Sequence, residues 1–429
     1  MLKQSKRLLV MAFILLVCLA GVTTAAATGL NPDGAAIGTE QNPAQATITK
    51  HLRLPIGTIT PNATFNFVAT RVSVDGRAPV AETDMPNLNP AALAVSFTPA
   101  DTDPTDPPTS IMSIWRETGD LFYGVTFPHA GIFVYEIREA GNTNPEIDND
   151  PNQWLSYSDG ARYTLTVYVA NTADGTGTFV FAVGTLVTVP DNEGQTEDTK
   201  VDATPGGDDE TYFFSQMVFT NDYVRTNTVT NPGANSTLAV SKQVAGDFAS
   251  REQFFDFDIT LTVPSILENL PVYYRAYVVE NGAVINPQHN AEAGLIGTDA
   301  GGSYIRISTS GPTAFRLRDG QRLAFVDTPV GTAYVVNEAA AINYTPSLIV
   351  TTNNIPGQNI PGTLSQGMST GNQHVGELTN QAAFTNTRDF VTPTGLNLNN
   401  LPFYGLILLA IGALITFIVI KVRRRSDYS

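Results

Sequence analysis

The sequence predicts an all-β chain of two tandem antiparallel sandwiches, flanked by an N-terminal signal peptide and a C-terminal transmembrane helix. Three observations predict it. Short runs alternate apolar and polar residues with period 2 along the middle of the chain. No long stretch outside residues 401–420 repeats with helical period. The middle also divides into two units that share the same landmarks in the same order. The 429 residues, 42% of them hydrophobic, suffice for two or three cores of ordinary size.

Residues 1–27 read as a secretory signal. Lys3, Lys6 and Arg7 form its basic start, Leu8–Ala20 its apolar run, and Thr24-Ala25-Ala26-Ala27 its small-residue cleavage region. An uncleaved anchor and a lipobox at Cys18 are the competing readings. Cys18 is the single cysteine, so no disulfide, thiolate metal site or Cys–His pair can form within the chain. The formal charge of -16 argues against nucleic acid as a partner. Removing both ends takes away seven basic residues and Asp427. That leaves 17 basic against 39 acidic residues, a net charge of -22 on the exported part.

The first unit spans 46–226. Its strands include Thr64-Phe65-Asn66-Phe67-Val68, Ile132–Ile137 and Tyr163–Val169, rich in β-branched and aromatic residues and broken by Gly, Pro and Asn turns. Asp191–Glu210 reads as an acidic, exposed and mobile insertion. Asn227–Ser236 reads as a linker. The second unit spans 237–389 and carries Phe255–Leu261 and Tyr334-Val335-Val336.

Aligned, the units match in order. The first has Lys50, Phe65-Asn66-Phe67, Tyr135…Glu139-Ala140 and Phe219-Thr220-Asn221. The second has Lys242, Phe255-Asp256-Phe257, Tyr334…Glu338-Ala339 and Phe384-Thr385-Asn386. Lysine is otherwise scarce: outside the two ends only Lys50, Lys200 and Lys242 remain. A lysine buried among apolar groups loses its charge, because desolvation disfavours the ammonium; a buried glutamate keeps its proton for the same reason. The neutral amine can then attack the side-chain amide carbon of a neighbouring asparagine while the glutamate shuttles protons. An amide is a poor electrophile, so the fold must hold the groups in place. The product is an isopeptide bond, with ammonia released. Any one of these residues alone is an ordinary strand or turn residue; their joint recurrence points to the cross-link. Glu136 competes with Glu139, and Glu139 is preferred because Glu338 has no acidic partner two residues upstream.

The layout resembles Gram-positive pilus backbone subunits, the streptococcal-type pilins with tandem isopeptide-linked, immunoglobulin-like domains. The stretches that carry it are Gly131–Glu139, Val218-Phe219-Thr220-Asn221-Asp222-Tyr223, and Lys242 with Phe254–Phe257, within a likeness covering about residues 46–395. The resemblance implies bonds Lys50–Asn221, assisted by Glu139, and Lys242–Asn386, assisted by Glu338. It also implies that Val391-Thr392-Pro393-Thr394-Gly395 (391–395), the apolar span 401–420 and the basic tail 421–429 form a sortase sorting signal, cleaved between Thr394 and Gly395. The span has the length needed to cross a bilayer, and the basic tail places the C-terminus of the precursor in the cytoplasm. The motif departs from the common Leu-Pro-x-Thr-Gly form.

The implied partners are sortase, further copies of the same chain in a covalent polymer, peptidoglycan, and accessory pilins and a host ligand, all at the cell surface. Lys200 is then the candidate acceptor of the next subunit's Thr394 acyl group, although no Tyr-Pro-Lys box surrounds it. A monomeric wall-anchored adhesin is the alternative; it would keep both internal bonds and leave Lys200 unmodified. Asp101–Asp106 and Asp148-Asn149-Asp150 lack the EF-hand spacing and glycine and read as polar loops, so no metal or cofactor is expected. The cross-linking is a single-turnover maturation, and the chain is read as a structural protein rather than an enzyme.

Overall fold

The computed structural model describes residues 36–426, apart from 80, 82, 104–110, 192–194, 206–215, 227–228, 268–270 and 390–400. The signal segment 1–27 and the sorting motif at Thr394 and Gly395 lie outside the described residues.

The short β1 (Ala36–Ile37) precedes the first unit, which contributes β2 (Thr49–Pro55), β3 (Ala63–Val74), β4 (Ala94–Phe97), β5 (Ile111–Glu117), β6 (Gly131–Glu139), β7 (Gln153–Leu155), β8 (Arg162–Asn171), β9 (Thr178–Val189), β10 (Lys200–Val201) and β11 (Val218–Arg225). They form a larger sheet in the order β1-β9-β8-β6-β3-β4, with β10 on β9, and a smaller one in the order β5-β2-β11-β7. One core lies between them, from Ala44 to Tyr223. Alternation along each strand decides which side chains enter it: Tyr163, Leu165, Val167 and Val169 of β8 are buried, and the residues between them are not.

The second unit contributes β12 (Leu238–Ala245), β13 (Phe255–Thr262), β14 (Tyr273–Glu280), β15 (Ala283–Val284), β16 (Ile296–Asp299), β17 (Gly302–Ser308), β18 (Thr313–Leu317), β19 (Gln321–Phe325), β20 (Ala333–Glu338), β21 (Thr345–Thr352), β22 (Ile355–Pro356), β23 (Ile360–Pro361), β24 (Met368–Ser369), β25 (Gln373–His374) and β26 (Gln381–Thr387). The sheet β16-β17-β14-β19-β12-β26-β21-β22 faces the sheet β18-β13-β20-β24 across a second core, from Leu238 to Phe384.

The expectation of purely antiparallel pairing is corrected at one place in each unit. The first and last strands, β2 with β11 and β12 with β26, run parallel. Antiparallel pairing is what a short hairpin enforces. These strands are separated by the whole length of their unit, so no hairpin constrains them.

The expected exposed insertion is exposed at 196–200 and anchored on both sides of that stretch. Asp191, Val201, Asp202 and Ala203 are buried, Lys200 pairs with Leu186 of β9, and the Thr47 amide donates to the Ala203 carbonyl. The linker is fastened to the second unit. The Val229 amide donates to the Val326 carbonyl, the Arg322 guanidinium donates to the carbonyls of Pro232 and Gly233, and Val229 packs against a small outer core containing Tyr277 and Tyr304.

The described residues also hold two α-helices, α1 (Pro145–Asp148), a single turn, and α2 (Leu401–Ser426). The helix passes the expected end at residue 420, because Lys421 and the arginines after it are good helix formers. Residues Pro402–Arg423 are long and apolar enough to cross a membrane. Of the acidic loops, Asp101 and Asp103 accept from the backbone amides of Thr98 and Ser113, and Asp148 accepts from the Tyr157 hydroxyl. These carboxylates are engaged by the chain's own donors.

Candidate functional site

In each sandwich the sheet bearing the first and last strands presents a lysine and an asparagine to the core, and the opposite sheet presents a glutamate. In the first unit Phe219 stands opposite Lys50 and Asn221 opposite Leu52. In the second, Phe384 stands opposite Lys242 and Asn386 opposite Val244. Parallel pairing with this two-residue offset puts lysine and asparagine on the same face of adjacent strands. The glutamates come from matching registers too, Glu139 opposite Phe67 and Glu338 opposite Phe257.

The side chains meet. Lys50 Nζ donates to Glu139 Oε2 at 3.1 Å, and Asn221 Nδ2 donates to Glu139 Oε1 at 2.7 Å. Lys242 Nζ donates to Glu338 Oε1 at 2.6 Å, and Asn386 Nδ2 donates to the same oxygen at 2.8 Å. All six residues are buried, none more than 3% exposed. Each ammonium also lies over a ring, Lys50 at 4.5 Å from the centre of Phe65 and Lys242 at 4.3 Å from that of Phe255. Phe65-Asn66-Phe67 and Phe255-Asp256-Phe257 thus floor the two sites with their alternate residues.

Burial sets the protonation. Loss of hydration pulls both lysines down to about 8, against the attraction of their glutamates, which holds them up. The same loss pushes Glu139 and Glu338 above the usual carboxylate range, against the pull of the lysines. Both shifts favour a neutral amine beside a neutral acid, the pair needed for amide exchange.

Alternation resolves the choice on β6. Glu139 shares the inward face with Phe133, Tyr135 and Ile137, whereas Glu136 points outward, 3.9 Å from Arg162. Lys200 lies apart from both sites, exposed on the short edge strand β10.

The sequence reading missed two residues at the first site. The Ser158 amide donates both to Glu139 Oε2 at 3.1 Å and to Asn221 Oδ1 at 3.2 Å. Buried Asp191 accepts from the Ser158 hydroxyl and from the Thr220 amide, the latter at 2.7 Å. Neither residue belongs to the repeat, and nothing in their local sequence marks them.

Known proteins resemble the chain in both units. Residues 46–224 match the family described as a Spy0128-like isopeptide containing domain, and residues 236–388 match a family described only as a domain of unknown function. The first unit thus matches an isopeptide-domain family, and over most of its length the chain is similar to a streptococcal pilin. It is 25% identical over 410 residues to a pilin of Streptococcus pyogenes serotype M1, covering 93% of this chain and 96% of that one. Among solved structures, a major pilin of Streptococcus pyogenes aligns at 22% identity and a TM-score of 0.30, covering 81% of this chain and 100% of that chain. The T3.2 major pilin of the same species aligns at 19% identity and a TM-score of 0.31, covering 83% and 100%. The likeness to pilins rests on the sequence matches.

Proposed function

We propose that this chain is a pilin, a backbone subunit of a covalent surface fibre, closed internally by Lys50–Asn221 and Lys242–Asn386 isopeptide bonds. The observation that carries the reading is the pair of buried Lys–Glu–Asn sites in identical strand register.

The chemistry balances within each site. Neutral Lys Nζ attacks the asparagine Cγ, forming the new C–N bond. A proton from Nζ passes through the glutamate to Nδ2, the old C–N bond breaks, and ammonia leaves. The glutamate ends as it began. Because it touches both Nζ and Nδ2, it can relay the proton without water. Holding the amine against the amide supplies the proximity that so poor an electrophile needs.

The remaining features fit a sorted polymer. α2 and its basic end would retain the precursor in the membrane until sortase cuts between Thr394 and Gly395. The Thr394 acyl group would then pass to Lys200 of another copy, or to peptidoglycan at the base. Lys200 supports this role by being exposed and outside both internal sites.

Intact mass and peptide mapping of residues 28–394, produced without sortase, test the internal bonds. A deficit of two ammonia molecules with the named peptides joined is expected; an unshifted mass would sink the reading. Incubation with the cognate sortase then tests the fibre role. A ladder that Lys200→Ala abolishes is expected, whereas monomers alone would favour a wall-anchored adhesin.

A further inference from the structure

The two sites differ at the asparagine Oδ1 and at the second glutamate oxygen. In the first unit both accept from the Ser158 amide. In the second, Asn386 Oδ1 has no hydrogen-bond partner among the described residues, nor has Glu338 Oε2. The cause is topological. After β7 the chain runs beside β11 only as far as Ser156, whose amide donates to the Asp222 carbonyl, and then turns across the site towards β8. At the matching place in the second unit, β21 continues as a regular strand along β26, with Pro346 opposite Asn386 and Ser347 opposite Thr385. The turn leaves the Ser158 N–H free of the ladder and aimed at the reacting groups.

Resting on the isopeptide reading above, we propose that the Ser158 main-chain N–H is the oxyanion donor of the first site, held in place by Asp191 as a positioning residue, and that the second site works without such a donor. When Lys50 Nζ adds to Asn221 Cγ, the carbonyl electron pair moves onto Oδ1, and the negative charge develops at the atom the Ser158 N–H already reaches. The charge collapses as ammonia leaves from Nδ2. A fixed donor at that atom acts most strongly in the transition state, because the charge is greatest there. Asp191 makes the donor rigid: one carboxylate oxygen takes the Ser158 hydroxyl and the other the Thr220 amide, so it ties the turn to β11 next to Asn221. Asp191 touches no reacting atom.

The test uses the full chain, recovered unfolded from inclusion bodies so that both units start together on dilution into folding buffer. Timed samples are quenched in acid, and each bond is quantified by peptide mapping. The Lys242–Asn386 bond in the same molecule is the internal reference. Asp191→Ala is expected to slow Lys50–Asn221 formation by roughly ten- to a hundredfold, below the full loss of an oxyanion donor because the N–H itself remains. The reference bond should keep its rate. Asp191→Asn can still accept the Thr220 amide and donate to the Ser158 hydroxyl, so it should restore nearly the wild-type rate. Its rate profile should also move to lower pH, because the lost charge had helped hold the Lys50 ammonium. Asp191→Ala at the wild-type rate, or Asp191→Asn as slow as Asp191→Ala, would overturn the proposal.

If Asp191→Ala does not fold, as judged in a Lys50→Ala background where no first bond can form, Ser158→Ala carries the test. It keeps the N–H and loses only its tether, so it too should slow the first bond, and a wild-type rate would overturn the proposal. Wild-type chain that forms neither bond would refute the isopeptide reading itself, a result distinct from any of these.

Discussion

At the scale of single residues, each site stores two displaced ionisations. The neutral amine becomes abundant as pH approaches about 8, and the raised glutamates keep a transferable proton beyond the ordinary carboxylate range. The rate of bond formation should therefore rise with pH from about 5 towards 8 and fall once the acid is lost, a bell reported by timed mass spectrometry. A rate independent of pH would contradict the mechanism. Glu139→Ala should abolish the first bond and leave the second, so the intact mass should show a deficit of one ammonia.

The same shift governs stability where the bond cannot form. In Asn386→Ala, Lys242 stays buried with its folded value near 8, below the unfolded 10.5. Between those values the unfolded chain binds more protons, so this lysine's contribution to stability rises with pH through that window and is least favourable below it. Denaturant titrations of Asn386→Ala and of Asn386→Ala/Lys242→Met at pH 7.5 and 9.5 check the sign: the difference between them should shrink at the higher pH.

At the scale of elements, what matters is the parallel pair that closes each unit. Its exit in the second unit is pinned where β12 ends. The Arg388 amide donates to the Ala245 carbonyl, and Gly246 sits at φ +97 with its missing Cβ position 2.3 Å from the Arg388 carbonyl oxygen. Only glycine tolerates both the left-handed backbone and that approach. Gly246→Ala should destabilise the second unit by about 1–2 kcal/mol from the backbone conformation alone, with more from the displaced strand end. A lowered melting temperature in a Lys242→Ala background, where no cross-link masks it, is the measurement.

The register was only partly legible in the sequence. Lysine scarcity and the repeated Tyr…Glu-Ala and Phe-Thr-Asn landmarks named the six residues that meet at the two sites, because strand alternation converts spacing directly into facing. They also favoured Glu139 over Glu136, and the alternation on β6 gives the reason: only Glu139 shares parity with Tyr135. The parallel pairing of first and last strands was not legible, since partners so distant leave no local turn to read. Ser158 and Asp191 were invisible because their role depends on where a turn crosses an already folded sheet. The anchoring of the acidic insertion was hidden for a related reason: its charges concealed Val201 and Ala203, which pack in the first core.

At the scale of the whole molecule, the first and last strands of each unit are the ones that pulling on the chain would load. The proposed bonds would carry the tension past everything in between, from Lys50 to Asn221 and from Lys242 to Asn386. Covalent closure of so long a loop also constrains the unfolded chain, by about 4–5 kcal/mol for each bond on loop-entropy grounds. Lys50→Ala/Lys242→Ala should melt markedly lower, lose protease resistance, and unfold at modest force in single-molecule stretching, whereas the wild-type chain should extend little. Equal extension of the two would remove the mechanical role.

The sequence by itself determined the strand-rich class, the twofold repeat, the apolar C-terminal helix and the residues able to react, because these rest on periodicity, composition and residue chemistry. Tertiary structure alone decided that the lysine and asparagine lie side by side on parallel strands beneath a facing glutamate. It decided as well that burial shifts both ionisations and that one site gains a backbone donor the other lacks. Those properties depend on water excluded and on strands brought together from opposite ends of a unit, and no local stretch of sequence records either.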